Sequence, residues 1–173
     1  MSIFYHVDRS EALNPNDEIK LVHHNDLVPD FLQEHVDSLF PDGVSVHGDR
    51  YFLNNASSAV GVDPIIELVF EYVRRSNYPH RQSRFQSFFA FKSFNDAIDF
   101  REKYGNGVIW EVECDDSRAF TADMNNLTLN DSLLVLSYRA SCYWGGLPNA
   151  SNQSPIWEVL LTPPIKIIRS LQK

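Results

Sequence analysis

Apolar and polar positions alternate over several short stretches of the chain, which is typical of strands with one buried face. The clearest example is GVIWEVEC at residues 107–114. Alternating or continuous apolar character predicts strands at residues 3–7, 18–22, 84–91, 107–114, 156–161 and 165–171. Pro163 and Pro164 separate the last two, because they lack the amide donors that a continued central strand would need.

Apolar residues spaced three and four positions apart predict three helices between these strands. The first covers residues 29–40, and its apolar stripe consists of Phe31, Leu32, Val36, Leu39 and Phe40. The second covers residues 64–75, with Asp63 as its N-cap. Its inward-facing residues are Ile65, Ile66, Val69, Phe70 and Val73. The third covers residues 94–104, where Ser93 with an acid three residues later forms a capping box.

Residues 115–154 are irregular and rich in Asn, Asp, Ser and Gly, so we expect loops there, with short strands around Phe120 and at 133–138. The elements together predict an α+β fold of mostly antiparallel sheets with flanking helices. A chain of 173 residues with 43% hydrophobic residues is long enough for one sizeable core, so we expect a single domain over residues 1–173.

Composition narrows the cellular setting and the partners. No apolar segment approaches the roughly 20 residues that cross a bilayer, and the N-terminus lacks the pattern of a signal peptide, which predicts a cytoplasmic protein without a membrane partner. The net charge of −8 removes any general attraction to nucleic acid, so such a contact must be local. Cys114 and Cys142 have no second cysteine or histidine pair at metal-ligand spacing, so no metal is expected.

Glu158 and His6 are the polar residues least expected in their surroundings. Glu158 lies in the apolar run IWEVLL, where both strand faces are apolar, so it is either ion-paired, exposed at a sheet edge or kept for function. His6 lies in the first strand between Tyr5 and Val7, and its ring faces either a hydrogen-bonded core position or a pocket. The residues alone leave these alternatives open.

A basic cluster follows the second helix and has two interpretations. It comprises Arg74, Arg75, His80, Arg81 and Arg84, interleaved with Tyr78 and Phe85. Guanidinium groups match phosphate oxygens, so the cluster could hold a phosphate-bearing ligand. Cations also complement a helix C-terminus, so a solvated helix end fits equally well.

Three segments, taken in order, resemble the motifs of the ADP-ribosyltransferase fold, in which NAD lies in a cleft between two antiparallel sheets. FYHVDRSEAL resembles the first motif of the histidine-tyrosine-glutamate branch, FFAFKSFNDAIDF the second, and WEVLLTPPIKII the third, with its catalytic glutamate. Further segments, SRFQS, IWEVE, DMNNL and YWGG, are similar to a bacterial group that includes mRNA-modifying toxins of toxin-antitoxin-chaperone systems. The likeness extends over most of the chain.

The resemblance implies roles for particular residues. Glu158 would be the catalytic carboxylate and NAD the co-substrate, without a metal. The residues implied in NAD binding are His6, Arg84, Ser87, Phe88 and Phe89. His6 would hold a ribose or the nicotinamide amide, and Arg84 or a neighbour would meet the pyrophosphate. One of the two phenylalanines would replace the tyrosine that usually stacks on nicotinamide, with Tyr51 a weaker source of the missing phenol.

The region 124–153 would recognise the acceptor. It carries four aromatic or cationic residues that could stack on and clamp an unpaired base, namely Tyr138, Arg139, Tyr143 and Trp144. Tyr143 and Trp144 could instead close a small local core. The resemblance therefore predicts a mono-ADP-ribosyltransferase that acts as an antiviral toxin on RNA or another nucleic acid and is neutralised by an antitoxin protein. The alternatives are a protein acceptor and a non-enzymatic module that binds a nucleotide or a partner.

Overall fold

The computed structural model describes residues 1–54, 64–129, 131–151 and 153–171. The fold is mixed α+β, and its strands and helices in chain order are β1 Ser2–Asp8, β2 Glu18–Ile19, α1 Asp30–Leu39, α2 Val46–Gly48, α3 Pro64–Asn77, β3 Phe88–Ala90, α4 Phe94–Tyr104, β4 Val108–Cys114, β5 Phe120–Asp123, α5 Leu133–Trp144, β6 Trp157–Leu161 and β7 Ile165–Leu171. A π-helical turn, Asp49–Leu53, follows α2, and 3-10 turns occupy Arg84–Gln86 and Met124–Asn126.

The strands form two antiparallel sheets. The first has the order β1-β4-β7-β2, and the second has the order β3-β6-β5. β6 therefore lies at the centre of the second sheet, where it pairs with β3 through Phe89 and Leu160 and with β5 through Ala122 and Glu158. Of the last two strands, β6 occupies an interior position in the second sheet and β7 an interior position in the first.

The two sheets share one apolar core, and helices cover their other faces. Phe4 of β1, Val112 of β4 and Leu161 of β6 belong to the shared core. On the opposite face of β6, Leu160 packs against Phe70 of α3 and against residues of α5. Helix α4 packs against β1 in a separate cluster. Alternate residues of β6 thus face the shared core and the α3–α5 pair.

A single bridge joins the first sheet to the second. The amide of Tyr5 in β1 donates to the carbonyl of Phe91 at 2.9 Å, and the amide of Phe91 donates to the carbonyl of Tyr5 at 2.8 Å. Beyond this bridge, no further backbone hydrogen bond joins β1 to β3 within the described residues. The sheets therefore separate immediately after Tyr5, at the position of His6.

Much of the predicted order is confirmed. The strands at both chain ends, β4, the short strand at Phe120 and three of the helices lie where the pattern placed them. Ser93 caps α4 by accepting from the Asp96 amide at 3.1 Å. The predicted N-cap of α3, Asp63, lies outside the described residues.

Other predictions were wrong. Residues 133–138 belong to helix α5 instead of a strand, because Ser132 caps the first turn and Leu136, Ala140 and Tyr143 form a helical buried stripe. Residues 84–87 form a 3-10 turn with its C-cap, so the strand predicted at 84–91 is reduced to β3. Helix α1 has no buried residue, and its predicted stripe leaves Phe31 65% exposed. Only Glu18–Ile19 of the predicted strand 18–22 belongs to β2.

Among the described residues, the helices are all too short or too polar to cross a bilayer.

Candidate functional site

Glu158 is a buried carboxylate on the central strand of the second sheet. Its residue is 3% exposed, and β6 has a paired strand on each side, so exposure at a sheet edge is ruled out. Its Oε1 accepts from Arg84 Nη1 at 2.6 Å and from the Tyr143 hydroxyl at 2.6 Å. The structure therefore favours the ion-paired alternative, with a guanidinium and a phenol holding one oxygen of the carboxylate.

Arg84 links Glu158 to a second buried carboxylate. Its Nε donates to Glu67 Oε2 at 2.9 Å and its Nη2 donates to Glu67 Oε1 at 3.0 Å, which is the bidentate pairing that suits a planar guanidinium. Nη1 also contacts the Tyr143 hydroxyl. Arg84 is 5% exposed, and its five N–H groups are largely committed to these three partners.

Aromatic and histidine rings surround this charged cluster. His47 Nε2 lies 3.0 Å from Glu67 Oε1, and the His47 ring lies 4.6 Å from the Tyr51 ring centroid. The Phe89 ring packs against both Arg84 and His47, since its centroid lies 4.6 Å from Arg84 Cζ and 4.8 Å from the centroid of the His47 ring. We call Glu67, Arg84, Tyr143 and Glu158, together with His47, the buried charge cluster.

The pKa shifts in the cluster follow from burial and from Arg84. Burial alone would raise the pKa of Glu67, but the charges of Arg84 and His47 outweigh it and hold that pKa far below its usual range. Burial raises the pKa of Tyr143 well above 10.0, with Glu158 adding to the effect and Arg84 opposing it. The carboxylates raise the pKa of Arg84 despite its burial. The phenol is therefore a fixed donor and the guanidinium a fixed cation at neutral pH.

A neighbouring carboxylate forms ion pairs with two further arginines of the basic cluster. Glu71, which is 4% exposed, accepts from Arg74 Nη2 at 2.7 Å, from Arg75 Nε at 2.7 Å and from the Ser83 hydroxyl at 2.8 Å. Arg81 stacks on the Phe120 ring with Cζ 4.0 Å from its centroid. Neither sequence interpretation describes these arginines, because Arg74 and Arg75 are paired with a buried acid instead of being free for phosphate or solvated.

His6 lies at the separation of the two sheets. Its Nδ1 is 2.7 Å from the carbonyl oxygen of Phe89, and because a carbonyl can only accept, Nδ1 carries the proton. Burial lowers the pKa of His6, so the ring is neutral at pH 7 and Nε2 is an acceptor. The ring centroid lies 4.3 Å from that of Phe88. His6 therefore replaces a backbone ladder bond between β1 and β3 with a side-chain bond.

Val7 has backbone groups directed into the same gap. Tyr5 uses both its N–H and its C=O for Phe91, which directly follows β3, so the alternation of an antiparallel ladder directs the N–H and C=O of Val7 to the same edge. Within the described residues no backbone hydrogen bond joins Val7 to β3. We call the gap bounded by His6, Val7 and Phe88 the sheet split. It presents the N–H donor and the C=O acceptor of Val7, the Nε2 acceptor of His6 and the aromatic ring of Phe88.

The predicted residues fall on two faces. His6 and Phe88 share the side of the common core, whereas Glu158 and Phe89 share the side of α3 and α5. His6 and Glu158 share no hydrogen bond, because His6 is bonded to Phe89 and Glu158 to Arg84 and Tyr143. Burial raises the pKa of Tyr51, and the charges of Arg50, Arg9 and Arg84 oppose that rise.

Several predicted roles need correction. The guanidinium of Arg84 is occupied by Glu67 and Glu158, so it is not free for a pyrophosphate. Ser87 is 1% exposed and its hydroxyl donates to the Ser83 carbonyl at 2.7 Å. Tyr143 and Trp144 are 0% exposed, so they form the core that was the alternative interpretation and cannot clamp an acceptor.

Trp144 shows why that core is closed. Its Nε1 donates to the Phe70 carbonyl at 2.8 Å, and its ring stacks on Phe120 at 5.9 Å between centroids. Tyr138 is 59% exposed on α5, and Arg139 is partly exposed and paired with Asp131 at 2.6 Å. These two residues remain accessible to a partner.

Sequence reasoning missed Glu67 and His47. A signal for Glu67 was present in the sequence. Glu67 and Glu71 lie one helical turn apart and next to the apolar stripe of α3, whereas solvated acids are expected on the opposite face of the helix. His47 has no comparable signal, because its partner lies 20 residues away in another helix. No group of three or more His, Cys, Asp or Glu side chains suited to a metal occurs within the described ranges.

Comparison with known proteins adds one family. No curated protein matches the sequence. The model of a family described as "Protein of unknown function (DUF2441)" matches residues 4–173, which is nearly the whole chain. The chain therefore belongs to the DUF2441 family.

Proposed function

We propose that the protein is an NAD-dependent mono-ADP-ribosyltransferase with an ADP-ribosyltransferase-like fold and Glu158 as its catalytic carboxylate. The observation that carries the proposal is the buried, ion-paired Glu158 on the central strand of the second sheet. Buried charges are costly, so a carboxylate in such surroundings is usually paired or needed for function. The order of the three resembling motifs and the two antiparallel sheets support the same assignment.

The reaction needs a carboxylate of this kind. Cleavage of the bond between nicotinamide and ribose leaves the bonding electrons on nicotinamide and positive charge on the sugar, and the acceptor then attacks the anomeric carbon and loses a proton. A fixed carboxylate stabilises the positive sugar electrostatically. Arg84 and Tyr143 both hold Oε1, so Oε2 is the oxygen left for a ribose hydroxyl.

The sheet split suits the nicotinamide end of NAD. A carboxamide offers one N–H donor side and one carbonyl acceptor, and Val7 offers the complementary backbone pair. Neutral His6 offers Nε2 to a hydroxyl, and the Phe88 ring offers an aromatic face, so Phe88 is favoured over Phe89 for stacking. A Phe without the hydroxyl of Tyr still supplies that face.

A different arginine is proposed for the pyrophosphate. Arg9 directly follows the end of β1, is exposed, and forms no ion pair with another described residue. Its charge reaches Tyr51 beside the buried charge cluster. A ligand lying across the sheet split would pass between β1 and β3, where these strands no longer pair, from His6 towards the side of Glu158.

The acceptor and the biological role rest on the resemblance. We favour RNA as the acceptor and an antiviral toxin in the cytoplasm as the role, with an antitoxin protein as the neutralising partner. Tyr138 and Arg139 are the two predicted acceptor residues that remain accessible. A protein acceptor is the alternative substrate.

A second candidate is a non-enzymatic member of the same fold. Glu158 has two partners at 2.6 Å, and such a closed ion pair also suits a purely structural cluster. This candidate predicts a nucleotide or partner bound without chemistry. The following experiment separates the two.

The test compares the wild type with Glu158→Gln and Glu111→Gln. Glu111 pairs with Arg169 at 2.6 Å in the first sheet, so Glu111→Gln breaks an ion pair away from the site. Purified proteins are incubated with NAD labelled in the adenylate and with cell extract, and the products are digested with nuclease or protease. We expect Glu158→Gln to lose roughly a hundredfold in labelling rate while Glu111→Gln keeps the wild-type rate.

The outcomes distinguish the candidates. Label removed by nuclease supports a nucleic-acid acceptor, and within that class label removed by a ribonuclease supports RNA. Label removed only by protease moves the function to a protein acceptor. Equal labelling by wild type and Glu158→Gln would remove Glu158 from catalysis. No label from the wild type, with NAD still bound in a calorimetric titration, would leave the non-enzymatic candidate.

A further inference from the structure

A polar groove lies next to the strand pair that carries Glu158. Its volume is about 330 Å³, within the range of small-ligand sites. It lies between the end of α4, the 3-10 turn Met124–Asn126, helix α5 and the loop that leads to β6. We call it the α4–α5 groove.

The lining of the α4–α5 groove has a charge opposite to that of the protein. It contains Lys103 and Arg139 and no carboxylate, although the chain carries 23 acidic residues and a net charge of −8. The remaining lining is mostly amide, hydroxyl and aromatic side chains, including Tyr104, which is 42% exposed. An anionic ligand with hydrogen-bonding edges and a flat face fits this combination.

The groove wall is held in place by a buried carboxylate. Asp123 is 0% exposed and accepts from the backbone amides of Asn125 at 3.0 Å, Asn149 at 2.8 Å and Ile156 at 2.9 Å. Asn149 Nδ2 donates to the carbonyl of Asn125 at 2.8 Å. These bonds tie three separate segments together, so the polar wall is pre-organised before a ligand arrives.

The cations of the groove keep donors for a ligand. Arg139 gives Nη2 to Asp131 at 2.6 Å, while its Nη1 reaches the Thr128 carbonyl only at 3.5 Å. Lys103 is exposed and lies 5.2 Å above the Tyr104 ring. A phosphate between Lys103 and Arg139 with a base on Tyr104 would use both charges and the ring.

The position of the groove relates it to the proposed chemistry. Ala122 pairs with Glu158, and the Met124 amide donates to the Ile156 carbonyl at 2.9 Å, so the groove begins two residues along β6 from Glu158. Two residues of a strand span about 7 Å. A nucleotide in the groove would therefore lie next to the strand pair that carries Glu158.

We propose that the α4–α5 groove binds one nucleotide of a single-stranded nucleic acid. Lys103 and Arg139 would contact the phosphate, Tyr104 would stack on the base, and the polar wall held by Asp123 would face the edge of the base. Its role as the acceptor site rests on the proposed function. The binding itself does not, because it requires no NAD.

The test measures binding of a fluorescein-labelled single-stranded RNA of mixed sequence by polarisation, in the absence of NAD, across a salt series. The variants are Lys103→Gln, Tyr104→Leu and Arg139→Gln. The matched control is Arg169→Gln, because Arg169 is also paired with an acid at 2.6 Å but lies on β7, outside the groove.

We expect each groove variant to weaken binding about tenfold at low salt, and Arg139→Gln to reduce the slope of log K against log salt by about 0.7, the value of one phosphate contact on a single strand. Arg169→Gln is expected to bind like the wild type. Binding of the wild type that no groove variant weakens, or that Arg169→Gln weakens equally, would overturn the proposal.

Two further outcomes also decide it. Absence of RNA binding by the wild type would overturn the groove as a nucleic-acid site, and displacement of RNA by an acidic peptide at equal concentration would assign it to a protein. Glu158→Gln is included as a binding control, because it should keep RNA affinity while losing labelling. Loss of labelling with retained binding therefore bears on the proposed chemistry alone, and loss of binding bears on the groove alone.

Discussion

Arg84 is the residue on which both buried carboxylates depend. Glu67 and Glu158 share its guanidinium in a site that is almost fully excluded from water. Removing Arg84 would leave two uncompensated buried charges, which typically costs several kcal/mol. Replacing Glu158 by Gln is milder, because Arg84 keeps Glu67 and the amide oxygen can still accept from Tyr143. Glu158→Gln is therefore a suitable probe of function in a folded protein.

His6 makes the stability of the fold depend on pH. Burial lowers the pKa of His6 below its unfolded value of 6.5, so the unfolded chain takes up a proton first as the pH falls. The free energy of unfolding should therefore fall below about pH 6.5, by up to about 1.4 kcal/mol per pH unit until the folded pKa is reached. His6→Asn keeps a donor for the Phe89 carbonyl and should lose this part of the pH dependence in urea unfolding at pH 7.5 and 5.5.

The control for this measurement is His35→Asn on exposed α1. It should unfold with the same pH dependence as the wild type. An unchanged pH dependence in His6→Asn would show that His6 is not protonated preferentially in the unfolded chain.

Serine side chains cap the N-termini of helices α4 and α5. Ser93 accepts from the third amide of α4 at 3.1 Å, and Ser132 accepts from that of α5 at 3.4 Å. The cap of α4 matters for the site, because α4 packs on β1, which carries His6, and supplies Lys103 and Tyr104 to the groove.

Ser93→Ala should lower the free energy of unfolding by about 1 kcal/mol, because the Asp96 amide loses its acceptor. Ser93→Asp keeps an acceptor and should remain near the wild type. Urea unfolding monitored by circular dichroism measures both. Equal loss in the two variants would mean that the side chain at 93 is needed for something other than capping.

Local signals explain which elements were predictable. Helix α4 was predicted because its cap and its stop are both within a few residues of the apolar stripe. Helix α5 was missed because LLVLSY at 133–138 fits a strand as well as a helix, and the deciding residues, Ala140 and Tyr143, lie further along the chain. A search for the stripe over the full span would have found it.

The candidate site was predictable only in part, for a similar reason. Glu158 was detected as an acid in an apolar run, but its partners lie 74 residues away at Arg84 and 15 residues away at Tyr143. The basic cluster has five members, and no local feature of the sequence shows which of them is buried beside Glu158. Pairing across such separations is set by the tertiary fold, which pattern along the chain does not contain.

For the whole molecule, the single bridge between the two sheets determines where a ligand could enter. The N–H and C=O of Tyr5 are both bonded to Phe91, whereas those of Val7 point to the same edge and have no backbone partner there among the described residues. The two amides are two residues apart in one strand, so they differ mainly in their hydrogen bonding.

The Val7 amide should therefore exchange with deuterium faster than the Tyr5 amide, by roughly tenfold or more if the Tyr5 bond must open first. Excess NAD should slow exchange at Val7 and leave the amide of Val112, in the centre of β4, unchanged. Exchange measured by NMR resolves these positions. Slowing at all three amides would indicate general stabilisation, and no slowing at Val7 would remove the sheet split from the NAD site.

The interior placement of β6 and β7 has a consequence for synthesis of the chain. Each of the two sheets needs one of these strands between partners made much earlier, and β6 also carries Glu158. While the ribosome is still translating the first 150 residues, β3 and β5 have no strand between them and Arg84 lacks Glu158, the second of its two carboxylate partners. A growing chain that still lacks β6 thus has neither a completed second sheet nor the carboxylate, so the proposed activity would first exist only after β6 has been made and has paired with β3 and β5.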